Sequence, residues 1–147
     1  MDIEKLREEL KRDEGCVHSV YLDHLNLKTV GIGHLLTEWD EEYDKPVGTE
    51  VSEERVNELF DKDIQTTIDE CKVLYDDFDD LPEEAQRIIA NMMFNLGRPR
   101  LSKFKKMREA VMDANWIEAA IQMEDSLWAK QVPNRAERLC ERMRNVS

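Results

Sequence analysis

One stretch of the sequence is the most informative about the fold: Glu14-Gly-Cys-Val-His-Ser-Val-Tyr-Leu-Asp-His-Leu-Asn-Leu-Lys-Thr-Val-Gly-Ile-Gly-His34. An amphipathic helix is predicted just before it, because Ile3, Leu6 and Leu10 have helical spacing. Gly15 can adopt the left-handed conformation that ends a helix. The helix is therefore expected to end with Glu14 at its C-terminal tip.

After this helix the pattern becomes β-branched and short in period, from Val20 to His34, with a break at His24-Leu25-Asn26. The pattern predicts two strands joined by a turn, and a third short strand near residues 47–51. Gly31 and Gly33 are expected to alternate along one strand and to leave one face bare. Such a face indicates either a tight packing contact or the close approach of a ligand.

The rest of the chain is predicted to be mainly helical. Ser52 is a helix cap before a long apolar stripe, and an acidic surface loop is expected before it at residues 37–50. A solvated break at 76–80 precedes Pro82, which opens a helix whose residues 85–96 are apolar on nearly every face. Shorter helices are expected at 104–111, 116–123 and 133–143.

These elements predict one α+β, mainly helical domain over residues 1–147. Its expected parts are a small antiparallel sheet lobe (about 16–51), a linking helix (about 52–75), and a helical lobe (about 82–147) that includes the N-terminal helix (2–14).

Composition limits the classes of protein that the chain can be. Its three cysteines are odd in number and lack metal-ligand spacing, so we expect reduced, mostly buried thiols and neither a disulfide framework nor a metal site. No apolar run approaches the roughly 18 residues of a membrane span. The start Asp2-Ile3-Glu4-Lys5 is unlike a signal peptide, so self-export is not expected.

Charge is divided unevenly along the chain. The formal net charge is −12, but residues 1–80 carry 24 acids and 9 bases, whereas residues 81–147 carry 9 acids and 12 bases. Six bases and no acid occur between Arg98 and Arg108, a pattern typical of either a solvated helix face or a surface that meets an anionic polymer. Nucleic acid is not expected as a partner, because the acidic half repels phosphate and the aromatics do not interleave with these bases.

Two carboxylates in the stretch 14–34 suggest acid–base catalysis. Glu14 at a helix tip would face Asp23 on the neighbouring hairpin, and a carboxyl pair flanking a scissile bond is what acid-catalysed acetal hydrolysis requires. The negative end of the helix dipole favours the protonated form of an acid at the tip. Each residue also has a plain structural alternative, since Glu14 could be a surface glutamate and Asp23 a turn cap.

Longer motifs extend this pattern over most of the chain. They are Asp13-Glu14-Gly15, Tyr21-Leu22-Asp23, Thr29-Val-Gly-Ile-Gly-His-Leu-Leu-Thr37, Glu58-Leu-Phe60, Ile89-Ala-Asn-Met-Met-Phe-Asn-Leu-Gly97, Trp116-Ile-Glu-Ala-Ala120 and Pro133-Asn-Arg-Ala136. In this order they resemble the phage-type lysozymes, the T-even-type endolysins that cut bacterial peptidoglycan, from about residue 3 to about residue 144.

The resemblance implies a lysozyme-like fold and hydrolysis of the β-1,4 bond between N-acetylmuramic acid and N-acetylglucosamine. Glu14 would be the general acid, Asp23 the base or electrostatic stabiliser, and Thr29 the holder of the attacking water. An inverting mechanism is implied, although the carboxylate separation that decides this does not follow from sequence. No cofactor and no metal are expected.

Further roles are also carried over from the resemblance. It implies that His34 forms a structural ion pair with Asp63, and that Arg135 reaches the catalytic acid. Positions that would contact saccharide are Gly33, Leu35, Phe94, Met107 and Gln122, although Met107 and Gln122 depart from the polar pattern of the family.

Two rival functions remain open. A lytic transglycosylase can work with one acid, but Asp23 and Thr29 argue against it. A catalytically inactive wall-binding module would be favoured by loss of these residues, and none is lost. We expect a monomer without stable membrane association that remains in the host cytoplasm until a holin releases it to its partner, peptidoglycan.

Overall fold

A computed structural model describes all residues, 1–147, and confirms the α+β class with a predominance of helix. The helices are α1 (Ile3–Glu14), α2 (Glu53–Leu74), α3 (Glu83–Leu96), α4 (Arg98–Leu101), α5 (Lys105–Met112), α6 (Trp116–Glu124), α7 (Leu127–Gln131) and α8 (Pro133–Arg144). The strands are β1 (Val17–Leu22), β2 (Lys28–Gly31) and β3 (His34–Leu35). No helix is both long enough and apolar enough to cross a membrane.

The chain forms two compact units. The sheet unit contains Arg7–Thr66, and the helical unit contains Met1–Leu6 with Thr67–Ser147. In the helical unit α8 packs against α3, α6 and α7, and α5 packs against α6.

The sheet is antiparallel in the order β1-β2-β3. β3 follows β2 directly at His34–Leu35 and was not predicted as a separate strand. Gly31 and Gly33 have φ values of +67° and +63°, and this left-handed backbone reverses the chain into a tight hairpin instead of continuing one strand. The segment 47–51, where the third strand was predicted, is not a continuous strand. It pairs with β1 at the other edge through the bridge from Ser19 to Glu50 and through backbone hydrogen bonds such as that from the Val51 N–H to the His18 carbonyl at 2.9 Å.

The two strand glycines therefore do not form a bare face. A Cβ added at Gly31 would lie 3.0 Å from Val56 Cγ1, so this glycine serves a tight packing contact with α2. Around it the buried side chains of Val30, Ile32 and Leu36 contribute to the core of the sheet unit.

Local signals at helix ends were read correctly. Gly15 has φ +74° and its N–H donates to the Lys11 carbonyl at 2.9 Å, which ends α1 at Glu14. Ser52 Oγ accepts the Arg55 N–H at 3.1 Å and thereby caps α2. The acidic segment 37–50 is a loop of turns, as expected.

The helical unit departs from expectation in three places. α4 and α7 were not predicted, because helices of 4 and 5 residues are too short to show a periodic pattern. The expected solvated break at 76–80 is partly buried, since Phe78 is 1% exposed at the start of a 3₁₀ turn. The burial of this aromatic side chain determines the structure of the segment more than the four acids around it do.

The three thiols are all free, and two of them are buried. Burial raises the pKa of Cys71 to about 12, with a further contribution from Glu70, and raises that of Cys140 to about 11. Cys16, by contrast, is exposed and lies 3.6 Å from His18 Nε2.

Candidate active site

Glu14 reaches the sheet hairpin from the tip of α1. A Cβ built on Gly33 would lie 2.8 Å from Glu14 Oε2, which is closer than real side chains approach. A side chain at position 33 would therefore displace the Glu14 carboxylate from this position, and the positive φ of Gly33 also favours glycine. The close approach at Gly33 is therefore made by the side chain of Glu14.

Asp23 and Thr29 are held by one and the same residue, Leu27. The Leu27 N–H donates to Asp23 Oδ1 at 2.9 Å, and the Thr29 hydroxyl donates to the Leu27 carbonyl at 3.0 Å. The Leu25 N–H donates to the same Asp23 oxygen at 2.8 Å. Both bonds go to Oδ1, and no backbone or side-chain group of the protein donates to Oδ2.

These bonds keep Asp23 ionised. The Leu27 N–H lowers the pKa of Asp23, the Leu25 N–H and the nearby His24 act in the same direction, and partial desolvation opposes them less strongly. A carboxylate with a lowered pKa is a weak base and a persistent negative charge. An ionised Asp23 can stabilise a developing cation and can also accept a proton from an attacking water.

The charges of both carboxylates, Glu14 and Asp23, act on Tyr21. Its pKa is raised first by burial and then by the negative charges of Glu14 and Asp23. Tyr21 is paired with Thr29 across the β1–β2 ladder. The sequence motif contained this tyrosine, but only the folded hairpin shows that it lies within the field of both acids.

His34 makes the contact with Asp63 that was expected, and a second contact that was not. Its Nδ1 lies 2.6 Å from Asp63 Oδ2 on α2, and its Nε2 lies 2.9 Å from Asp40 Oδ2 on the acidic loop. Burial alone would lower the pKa of His34, but hydrogen bonds and charges from Asp63 and then Asp40 outweigh it, so the pKa is raised.

Asp40 accepts hydrogen bonds from both the His34 ring and the Thr37 backbone. Desolvation would raise its pKa, but the Thr37 N–H at 2.9 Å and the His34 ring together lower it. Sequence reasoning missed this residue, because nothing in the local pattern of an acidic loop indicates that one of its acids turns inward. The ring of His34 therefore ties the loop to α2.

Arg55 provides a second tie between the loop and α2. Its Nε donates to Glu42 Oε2 at 2.7 Å and its Nη1 donates to Glu58 Oε1 at 2.6 Å, while Glu41 lies 3.5 Å from Nε. The Arg55 hydrogen bond lowers the pKa of Glu42, although burial opposes it. Glu42 is only 4% exposed, so its charge depends on this arginine.

The residues expected to contact saccharide differ in accessibility. Leu35 is exposed and Phe94 is half-buried, so both present some surface. Met107 is 0% exposed and offers no side-chain surface to a sugar in this conformation. Gln122 Nε2 donates to Glu118 at 2.8 Å, and the buried Arg135 donates through Nε to Asn91 at 2.9 Å.

A pocket of about 500 Å³ opens on the sheet unit beside the hairpin. Asn26, Leu27 and Lys28 line one side, and Leu35, Leu36, Tyr43 and Asp44 complete the wall. Leu27 also anchors Asp23 and Thr29, so the pocket adjoins the candidate catalytic groups. No group of three or more side chains has an arrangement that would hold a metal ion.

Comparison with known proteins gives a consistent picture. The family model for phage lysozyme matches residues 11–145. A probable T4-type lysozyme 2 of Dictyostelium discoideum is 30% identical, over 93% of this chain and 92% of its own length.

Two phage proteins are also similar over most of this chain but are much longer. The pre-baseplate central spike protein Gp5 of Enterobacteria phage T4 is 29% identical over 91% of this chain and 26% of its own length. The peptidoglycan hydrolase gp36 of Pseudomonas phage phiKMV is 28% identical over 97% of this chain and 15% of its own length. With the hairpin geometry and the match over residues 11–145, the chain belongs to the phage lysozyme family.

Proposed function

We propose that this protein is a muramidase that hydrolyses the β-1,4 bond between N-acetylmuramic acid and N-acetylglucosamine in bacterial peptidoglycan. The observation that carries the proposal is the hairpin: Leu27 holds Asp23 and Thr29 together, and Gly33 leaves space for the Glu14 carboxylate. Membership of the phage lysozyme family supports the same substrate.

Glu14 is the general acid of the proposed reaction. A sugar oxygen is a poor leaving group unless it is protonated as the glycosidic bond breaks. The proton passes from the Glu14 carboxyl group to this oxygen. Positive charge then develops on the anomeric carbon and ring oxygen of the remaining sugar.

Asp23 and Thr29 act on the opposite side of that charge. The ionised Asp23 stabilises the oxocarbenium-like transition state, and its Oδ2 is available to accept a hydrogen bond from water. Because Thr29 donates its only proton to Leu27, its oxygen can only accept from that water. A water that donates to both groups keeps a lone pair for attack on the anomeric carbon. As the new C–O bond forms, this water transfers the proton directed at Oδ2 to Asp23. The step therefore ends with Glu14 deprotonated and Asp23 protonated, and proton exchange with solvent restores both.

This arrangement favours inversion of configuration, because water and not a carboxylate is the nucleophile. Asp23 oriented by two backbone N–H groups serves the water instead of forming a covalent sugar ester. The reaction needs no cofactor. We further propose that the protein acts as a monomer, without stable membrane association, on peptidoglycan reached from the host cytoplasm after release by a holin.

The test is the chemistry of the product. Purified sacculi are digested, and the anomer formed first is followed by NMR before mutarotation. An α-anomeric reducing end supports inversion, whereas a β-anomer overturns it while keeping hydrolysis. A 1,6-anhydromuramic product assigns the chain as a lytic transglycosylase, and binding without any product assigns it as an inactive wall-binding module.

A further inference from the structure

Six bases lie close together in the helical unit and differ from most arginines elsewhere in the chain. Arg7, Arg55, Arg87, Arg142 and Arg144 all form ion pairs with acids of the chain itself. None of the six bases of α4, α5 and the turn between them forms an ion pair: Arg98, Arg100, Lys103, Lys105, Lys106 and Arg108. We name these six residues the basic segment.

Single lysines elsewhere, such as Lys5 and Lys62, also lack an ion pair, so the absence alone is not distinctive. What distinguishes the basic segment is its concentration: six cations without an ion pair lie within residues 98–108 with no acid among them, in a chain of 33 acids and 21 bases. Arg100 instead donates to the neutral side chain of Gln131 at 2.7 Å. The cations of the basic segment therefore remain available to an external anion.

Two of these lysines lie where a positive charge does not favour the stability of the helix. Lys105 and Lys106 occupy the first turn of α5, which has no acid there and receives no side-chain cap from Phe104. The positive end of a helix dipole disfavours cations in the first turn. Stability of the folded chain thus gives no reason for lysine at these positions.

The same lysines border a concave site. Lys103, Lys105 and Lys106 line a pocket of about 360 Å³ together with Phe104, Gln122 and Ser126, and Asp125 is the one acid in the wall. Three cations against one acid leave the pocket positive. An amide, a hydroxyl and an aromatic side chain give it the mixed lining of sites that bind polar organic molecules.

We propose that the basic segment binds carboxylates of the wall polymer, namely the peptide-stem carboxylates that repeat along peptidoglycan. The proposal rests on the proposed function, because it takes its anion from that substrate. The net charge of −12 does not oppose it. At physiological salt the Debye length is about 8 Å, so a carboxylate in the pocket interacts mainly with the lysines around it.

The experiment measures binding separately from cleavage. In a Glu14→Gln background, cosedimentation with purified sacculi is compared for Lys105→Glu/Lys106→Glu and for Lys5→Glu/Lys62→Glu. Both pairs change the net charge equally, and the control lysines are exposed and lie outside the basic segment. Lys105→Arg/Lys106→Arg tests whether charge alone restores binding, and melting temperatures verify that every variant is folded.

We expect the Lys105/Lys106 reversal to weaken sacculus binding roughly tenfold at an ionic strength near 0.01 M, within the range of electrostatic effects on association. The difference should nearly vanish near 1 M, where the Debye length is about 3 Å. The arginine pair should bind like the parent, and the control pair should lose much less. Equal losses for the two reversals, or a loss that salt leaves unchanged, would overturn the proposal.

Two further arms identify the anion. Sacculi whose carboxyl groups are amidated should lose the advantage of the parent over the reversed variant, whereas sacculi stripped of phosphate polymers should keep it. The opposite pattern assigns the basic segment to phosphate and rejects the proposal. Since binding is read without turnover, failure of the muramidase assignment in the product assay remains a separate result.

Discussion

The acidic loop and the basic segment are both strongly charged, yet their charges are used in opposite ways. In the loop, Asp40 is bound by His34 and Thr37, and Glu42 is bound by Arg55, so the charges of these two acids are satisfied inside the molecule. In the basic segment no charge is paired with another. From net charge alone, the acids would be expected to form the binding surface. The ion pairs within the molecule indicate instead that the bases of the basic segment are the ones available for binding.

An excess of one charge is therefore not by itself a binding surface. Acids that hold a loop on a helix act as structure, and their number says little about partners. Cations indicate an external partner when they lie close together without ion pairs and line a concave site, as in the basic segment. Three changes test this contrast, in decreasing order of effect.

The largest effect is expected from Glu14→Gln, which separates chemistry in the sheet unit from binding in the helical unit. Removing the proton donor should lower the rate of lysis by at least about 10²-fold, since general acids contribute 10²–10⁴-fold. Sacculus binding and melting temperature should remain close to those of the parent. Turbidity loss of permeabilised bacteria measures the first quantity, and retention of more than about a tenth of the activity would reject Glu14 as the acid.

A second change tests whether the loop charges are structural. Arg55→Met leaves the buried Glu42 without its main partner, and should destabilise the fold by about 2–4 kcal/mol, because breaking a buried pair strands a charge. The matched substitution Arg100→Met, at an exposed base without an ion pair, should cost about 0.5 kcal/mol or less. Urea unfolding measures both, and similar costs at the two sites would erase the distinction between the regions.

The smallest effect concerns pH and the tie made by His34. Its folded pKa is raised above the unfolded value of about 6.5, so its stabilisation is complete below that value and is lost as pH rises through the folded pKa. Asp63→Asn should therefore cost about 1–2 kcal/mol at pH 5.5, and less at pH 8. Thermal unfolding at the two pH values provides the comparison, and an equal fall in melting temperature at both would show that the pairing does not depend on the imidazolium.

The sequence predicted well those features that depend on near neighbours. Gly15 and Ser52 identified helix ends, and the apolar pattern of residues 85–96 identified the buried α3, because capping and periodicity act within a few residues. Glu14, Asp23 and Thr29 all lie in the same unit, on one helix tip and one hairpin. Their catalytic roles remain predictions.

What the sequence could not predict depends on contacts between distant segments. No local pattern marks the features that follow from tertiary packing. These are the inward turn of Asp40, the burial of Glu42 and the effect of Glu14 on the pKa of Tyr21. β3 was missed as a separate strand for a related reason. Both glycines of the hairpin suit a strand that binds a ligand as well as a tight reversal, and only the backbone angles distinguish the two.

A neutral His34 ring cannot donate a hydrogen bond to both of the carboxylates that contact it. An uncharged imidazole carries a single N–H, so each tautomer can serve either Asp63 or Asp40 but not both. The shorter contact is with Asp63, at 2.6 Å against 2.9 Å, and favours the Nδ1–H form. Loss of the Nε2 proton would then break the ring's hydrogen bond to Asp40, while the bond to Asp63 on α2 remains. Tautomer choice at a single histidine thus decides which carboxylate the neutral ring keeps, and Arg55, through Glu42, becomes the main link between the acidic loop and α2.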